Sequence, residues 1–193
     1  AAAAQTLRAA LGGSAVTYKV GLHLYTAEGP RVVRDLIASG RRVFLDLKYH
    51  DIPNTVAAAV HQAAELGVGM LTVHAGGGGK MLRAAVEAAR SVSPALMVLG
   101  VTVLTSMDDQ DLDKVGVRGR VVDQVLRLAA LAINSGCQGV VASALEASEL
   151  LSELGHHFLI LTPGVRPAGQ DHAHQSRLER PSEPIADAPP PTR

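Results

Sequence analysis

Asp46, Lys48 and Asp51 bring two carboxylates and one ammonium together in the stretch Val43-Phe44-Leu45-Asp46-Leu47-Lys48-Tyr49-His50-Asp51-Ile52-Pro53-Asn54-Thr55. The stretch begins as an apolar strand and ends as a helix start. Side chains alternate faces along a strand, so Asp46 and Lys48 share one face and Leu45 and Leu47 the other. Strongly apolar flanks make this a central strand, and an ammonium taken out of water there needs carboxylate partners. Two of them would hold Lys48 as an ammonium, a proton donor in a dry site. Lys19, on a neighbouring strand, would complete an alternating Lys-Asp-Lys-Asp array with no net charge. The competing reading is a solvated edge-strand face with Asp51 as a helix N-cap.

Composition adds weight to the two lysines. The chain holds fourteen Arg but only four Lys, namely Lys19, Lys48, Lys80 and Lys114. Ordinary surface cations are thus supplied by Arg, whereas Lys19 and Lys48 fall in apolar, strand-like surroundings. Lys can give up a proton near neutral pH and Arg cannot.

Other motifs say less. Gly76-Gly77-Gly78-Gly79-Lys80 fails the phosphate-loop pattern, because Met81 stands where Ser or Thr is required. It reads as a flexible strand-to-helix turn. Thr162-Pro163-Gly164-Val165-Arg166-Pro167 follows the last predicted strand, and an Arg framed by Gly and Pro suits a phosphate or carboxylate anchor. An ordinary exposed Arg is the alternative there. The close histidine pairs, His156-His157 and His172-Ala173-His174, lack a spaced third ligand, so no metal site is expected. His74, at a strand end, is expected to pack or hydrogen-bond at the mouth of the site.

The elements that must position these residues alternate along the chain. Strands are predicted at Val16–Gly21, Arg42–Lys48, Met70–Ala75, Ala95–Leu104, Gly139–Ser143 and Phe158–Thr162. Helices are predicted at 1–12, from Pro30 to Ser39, and at Asn54–Leu66, Gly79–Arg90, Met107–Val115, Arg120–Asn134 and Ala144–Leu154. Short apolar strands alternating with helices argue for an α/β fold with a parallel sheet covered on both faces. Residues 163–177 read as a functional loop. Pro181, Pro184 and Pro189-Pro190-Pro191 make 181–193 a Pro-rich, poorly ordered tail, leaving one domain over 1–180.

With 193 residues, 47% hydrophobic content, 19% charged residues and zero formal net charge, disorder and polyanion binding are both disfavoured. Cys137 stands alone, which excludes an internal disulfide, and no apolar run reaches the length of a membrane span. The expectation is a cytoplasmic globular domain that binds neither nucleic acid nor membrane.

Taken together these motifs resemble bacterial-type orotidine 5'-phosphate decarboxylases. Phe44–Thr55 matches that family's signature Asp-x-Lys-x-x-Asp-Ile-Pro-Asn-Thr. Tyr18-Lys19-Val20-Gly21, Val73-His74-Ala75, Val101-Thr102-Val103-Leu104-Thr105-Ser106 and Thr162–Pro167 follow in the family's order and spacing. The resemblance implies a (β/α)8 TIM barrel, homodimeric and free of cofactor or metal, that converts orotidine 5'-phosphate to UMP and CO2. It makes Lys48 the proton donor to C6 of the pyrimidine. Asp46 would lie against the substrate carboxylate and Lys19 would contact the ribose and the charge network. Asp51 and Thr55 would reach the partner subunit's site, with Ile52 and Asn54 beside the substrate. Thr105 would contact the base, and Arg166 and Gln175 would belong to a loop closing over the phosphate.

The family's first strand, with a ribose-binding Asp, and its last, with a phosphate-binding Gly-Arg pair, find no counterpart here. The expected fold is therefore an incomplete barrel of about six parallel strands, with weakened activity. Two alternatives stand beside this reading. One is a Mg-dependent sugar-phosphate decarboxylase or aldolase of the same superfamily. The other is a catalytically impaired remnant that binds nucleotide or dimerises.

Overall fold

The computed structural model describes residues 17–164. The predicted helix at 1–12, the Pro-rich tail, and Arg166 and Gln175 lie outside the described residues. Within them the chain forms β1 (Thr17–Gly21), α1 (Leu22–Glu28), α2 (Arg31–Ala38), β2 (Arg42–Tyr49), α3 (Pro53–Glu65) and β3 (Met70–His74). A 3-10 turn (Ala75–Gly77) leads into α4 (Gly78–Val92), and β4 (Met97–Val101), α5 (Asp109–Lys114) and α6 (Val121–Asn134) follow. The described residues close with β5 (Gly139–Val141), α7 (Ala144–Leu154) and β6 (Leu159–Leu161).

All six strands are parallel and lie side by side in chain order, β1 to β6. A doubly wound sheet would reverse its order partway; strictly sequential winding is that of a (β/α) barrel, here a curled half-barrel. Side-chain alternation splits the apolar residues between the two faces of the sheet. Val20, Val43, Leu45, Leu71, Val73, Val98 and Val140 join the apolar stripes of the helices in one large core. Phe44, Leu99, Val101 and Val141, with Met70, Met97 and Leu161 against them, form a smaller cluster on the opposite, inner face. That cluster is the apolar floor beneath the polar groups described below.

Local signals account for most element boundaries. Pro53 occupies the first turn of α3, where its missing N–H costs nothing. Ser143 and Glu146 form a reciprocal capping box that starts α7, and Asp108 and Asp111 do the same for α5. Close packing fixes the sheet against its helices: a Cβ on Gly100 of β4 would lie 2.6 Å from the Cβ of Ala132 on α6.

One element is added to the expected order and one is corrected. Helix α1 occupies a stretch with no predicted structure: it follows β1 without a loop, is only seven residues long, has no side-chain cap, and packs against the core only through the partly buried Leu24 and Tyr25. The predicted strand Ala95–Leu104 narrows to Met97–Val101, the five residues that pair one for one with Met70–His74 of β3, and its pairing with β5 ends at the same point, Val101↔Val141. Thr102, fully buried, instead sends its N–H and its hydroxyl to the Val141 carbonyl, at 3.2 and 2.9 Å.

Candidate active site

The polar groups of the inner face gather toward the C-terminal ends of β1, β2 and β3. Lys48 Nζ donates to Asp46 Oδ1 at 2.8 Å, and Lys19 Nζ approaches Asp46 Oδ2 at 3.4 Å. The Thr72 hydroxyl donates to Asp46 Oδ1 at 3.0 Å and accepts the Lys48 backbone N–H at 2.9 Å. Asp46 is thus a carboxylate with three side-chain donors, only 15% exposed, while Lys48 and Lys19 are 31% and 56% exposed. Gly21, paired with Asp46 across the ladder, keeps space open for Lys19: a Cβ there would sit 3.1 Å from its Nζ.

The meeting of Asp46 and Lys48 survives an irregularity in β2. Leu45 pairs with Leu71 and Tyr49 with Val73, so four residue steps of β2 pass against two of β3. A surplus of one would move Lys48 to the helix side, whereas a surplus of two preserves alternation. Leu47 and Tyr49 accordingly pack with the outer core, and Lys48 stays on the inner face with Asp46. Within the surplus, Lys48 takes φ 51°, the left-handed region, at a cost of about 1–2 kcal/mol for a residue with a Cβ.

Burial by itself would push the Asp46 carboxyl up. The hydrogen bond and charge of Lys48, the Thr72 hydroxyl and the charge of Lys19 outweigh it and hold the group below the usual carboxylate range. The chemical result is a fixed carboxylate between two cations, with an ammonium aimed into the inner face. Counting these three side chains, the local charge is positive, which suits an anionic substrate.

His74, at the end of β3, accepts the Gly76 N–H on Nδ1 at 3.1 Å, which caps the 3-10 turn and leaves its ring proton on Nε2. It stacks on His50, with ring centroids 5.0 Å apart and planes 12° apart. Burial, with His50 and Lys48 beside it, lowers the His74 ring below its ordinary value. The glycine run is the turn expected of it, and Lys80 on α4 is exposed.

Lys19, Asp46 and Lys48 therefore converge, but Asp51 does not join them within the chain. Beyond the end of β2 its Oδ1 turns back onto the Ile52 N–H at 2.6 Å, so the four-member array becomes Lys-Asp-Lys. Asp51 does not serve as the side-chain cap of α3 either: the N-cap is Ile52, with no side-chain hydrogen bond. Asp51, Ile52, Asn54 and Thr55 all stand exposed beside the site, and Thr105 lies in the loop between β4 and α5. Thr72 and Gly21 were not anticipated as parts of the network. Thr72 could have been found as the one polar residue inside Met70-Leu71-Thr72-Val73, two positions before His74 and so on the same face. Among the described residues no group of three or more His, Cys, Asp or Glu could hold a metal ion.

Sequentially wound parallel strands with charged groups at their C-terminal ends define an α/β-barrel enzyme architecture. A sequence model of the orotidine 5'-phosphate decarboxylase / HUMPS family matches residues 2–188, and the chain belongs to that family. It is 52% identical over 168 residues to the orotidine 5'-phosphate decarboxylase of Hydrogenovibrio crunogenus, covering 87% of this chain and 71% of that relative. The crystal structure of orotidine 5'-phosphate decarboxylase from Lactobacillus acidophilus superposes with a TM-score of 0.74 at 41% identity, over 78% of this chain and 69% of that one. An uncharacterised conserved protein from Geobacillus kaustophilus gives a TM-score of 0.77 at 39% identity, over 83% of this chain and 77% of that one.

Proposed function

We propose that this chain decarboxylates orotidine 5'-phosphate to UMP and CO2, a step of pyrimidine biosynthesis, with Lys48 as proton donor. The observation that carries the reading is the Lys48 ammonium, fixed 2.8 Å from Asp46 at the C-terminal edge of the sheet in a member of this family. The bond from C6 to the carboxylate breaks, CO2 leaves, and the electron pair stays on C6. A proton from Lys48 Nζ joins that carbon, and solvent restores the ammonium. Such a carbanion has no electron sink, so a preformed cation beside it stabilises the developing charge more than it stabilises the substrate carboxylate. Asp46 orients Lys48 and lies against the departing carboxylate, while Lys19 meets the ribose.

Ile52, Asn54, Thr55 and Thr105 complete the substrate contacts in this reading, with Thr105 on the base. Arg166 and Gln175, outside the described residues, hold the phosphate. The protein acts in the cytoplasm as a homodimer in which Asp51 and Thr55 of one subunit serve the site of the other. The exposure of Asp51 and of the apolar side chains Leu22 and Ile52, 58% and 66%, at the rim of the site supports this arrangement.

The test follows the loss of orotidine 5'-phosphate absorbance with unaltered protein and with Lys48→Ala. Turnover by the unaltered chain, insensitive to a chelator, and a fall of about a hundredfold to ten-thousandfold in Lys48→Ala are expected. Equal rates for the two would remove the chemistry from Lys48. Activity abolished by a chelator would favour a metal-dependent sugar-phosphate reaction.

A further inference from the structure

We propose that Thr72 is a positioning residue whose hydroxyl ties the displaced Lys48 backbone to the Asp46 carboxylate and so fixes the direction of the Lys48 ammonium. The inference rests on the decarboxylase reading for the activity it tunes, and on geometry for everything else. Lys48 falls in the stretch of β2 that has no residue partner in the β3 register. Its N–H is met by the hydroxyl of Thr72 at 2.9 Å. The same oxygen donates to Asp46 Oδ1 at 3.0 Å, the atom that also receives Lys48 Nζ at 2.8 Å. One side chain thus holds both ends of Lys48, its backbone directly and its ammonium through Asp46. Thr72 is fully buried, so water cannot take over either bond.

A hydroxyl is suited to this place because it gives one hydrogen bond and accepts another. Valine has nearly the same shape and does neither. In Thr72→Val the Lys48 N–H and Asp46 Oδ1 each lose a partner, and an ammonium at a left-handed backbone position gains freedom to turn away. The expected result is a fall in kcat of about tenfold to a hundredfold, with KM within about threefold of the unaltered protein. Thr72→Ser restores the hydroxyl and returns kcat to within about threefold of the unaltered value. The acid limb of the kcat profile moves to higher pH in Thr72→Val, since Asp46 then holds a proton more readily while Lys19 and Lys48 still face it. A residue needed only for packing would move neither the profile nor the Ser rescue.

Unchanged kcat in Thr72→Val, or a Ser variant as impaired as the Val one, overturns the proposal. Should the unaltered chain show no turnover, the decarboxylase reading fails on its own. The positioning role is then decided by a carbon-13 NMR titration of the Asp46 carboxyl. A midpoint higher in Thr72→Val than in the unaltered and Ser proteins supports it, and identical midpoints overturn it. If the Val variant does not fold, hydrogen exchange on the unaltered chain decides. Slow exchange at the Lys48 amide, comparable to its ladder neighbours, supports the bridge, and exchange as fast as an open loop overturns it.

Discussion

At the scale of single residues, His74 joins the site to the pH dependence of folding. Its ring is lowered by burial, then by His50 and Lys48, so the native protein takes up a proton there less readily than the unfolded chain does. Above the ordinary histidine value of about 6.5 both states are neutral and His74 does not penalise folding. As pH falls below that value the unfolded chain binds a proton that the native ring refuses, and stability is lost until the lower native value is passed. His74→Asn separates this titration from the structural role, because the Asn side-chain oxygen can still accept the Gly76 N–H that Nδ1 accepts now. Urea unfolding between pH 7.5 and 5 should show His74→Asn gaining stability relative to the unaltered protein as the solution is acidified. Parallel curves for the two proteins would show that the buried ring does not resist protonation.

At the scale of elements, helices hold the sheet at contact distance. Gly100 on β4 leaves room only for the methyl group of Ala132 on α6, since a Cβ there would stand 2.6 Å from it. Gly100→Ala should therefore separate strand from helix, at a cost of about 1–3 kcal/mol in denaturant unfolding. Adding Ala132→Gly should make the pair less costly than the sum of the single changes, even though the helix loses a residue of high propensity. Strict additivity would mean that the contact is relieved elsewhere. Most of these elements were legible beforehand, because strands such as Met70–His74 are short apolar runs and helices such as α7 carry their own capping box. Helix α1 was hidden because it is short, uncapped and only partly buried, and the bounds of β4 are set by its partners β3 and β5 rather than by its own residues. In the site, the meeting of Asp46 with Lys48 followed from alternation. The surplus that puts Lys48 at φ 51° and recruits Thr72 is a property of two strands together, which no single stretch reveals.

At the scale of the whole molecule, Asp51 raises the question of where its partner lies. The chain spends its carboxylate on the neighbouring Ile52 N–H and leaves it exposed at the rim of the site, with Lys48 paired to Asp46 instead. A carboxylate that completes the charge network of a second subunit would occupy such a place, and the proposed homodimer makes this testable by mixing. Lys48→Ala and Asp51→Ala proteins are each expected to be nearly inactive. If each site takes Lys48 from one subunit and Asp51 from the other, a mixed dimer has one site with both changes and one with neither. Random exchange of equal amounts makes half the dimers mixed, so about a quarter of all sites regain both groups. The mixture should recover about a quarter of the activity of the unaltered protein, only after subunits have exchanged and in proportion to the mixed dimer formed. If Asp51 served the site of its own subunit, every site in the mixture would still lack one group. The activity would then stay at the level of the separate variants at every mixing ratio.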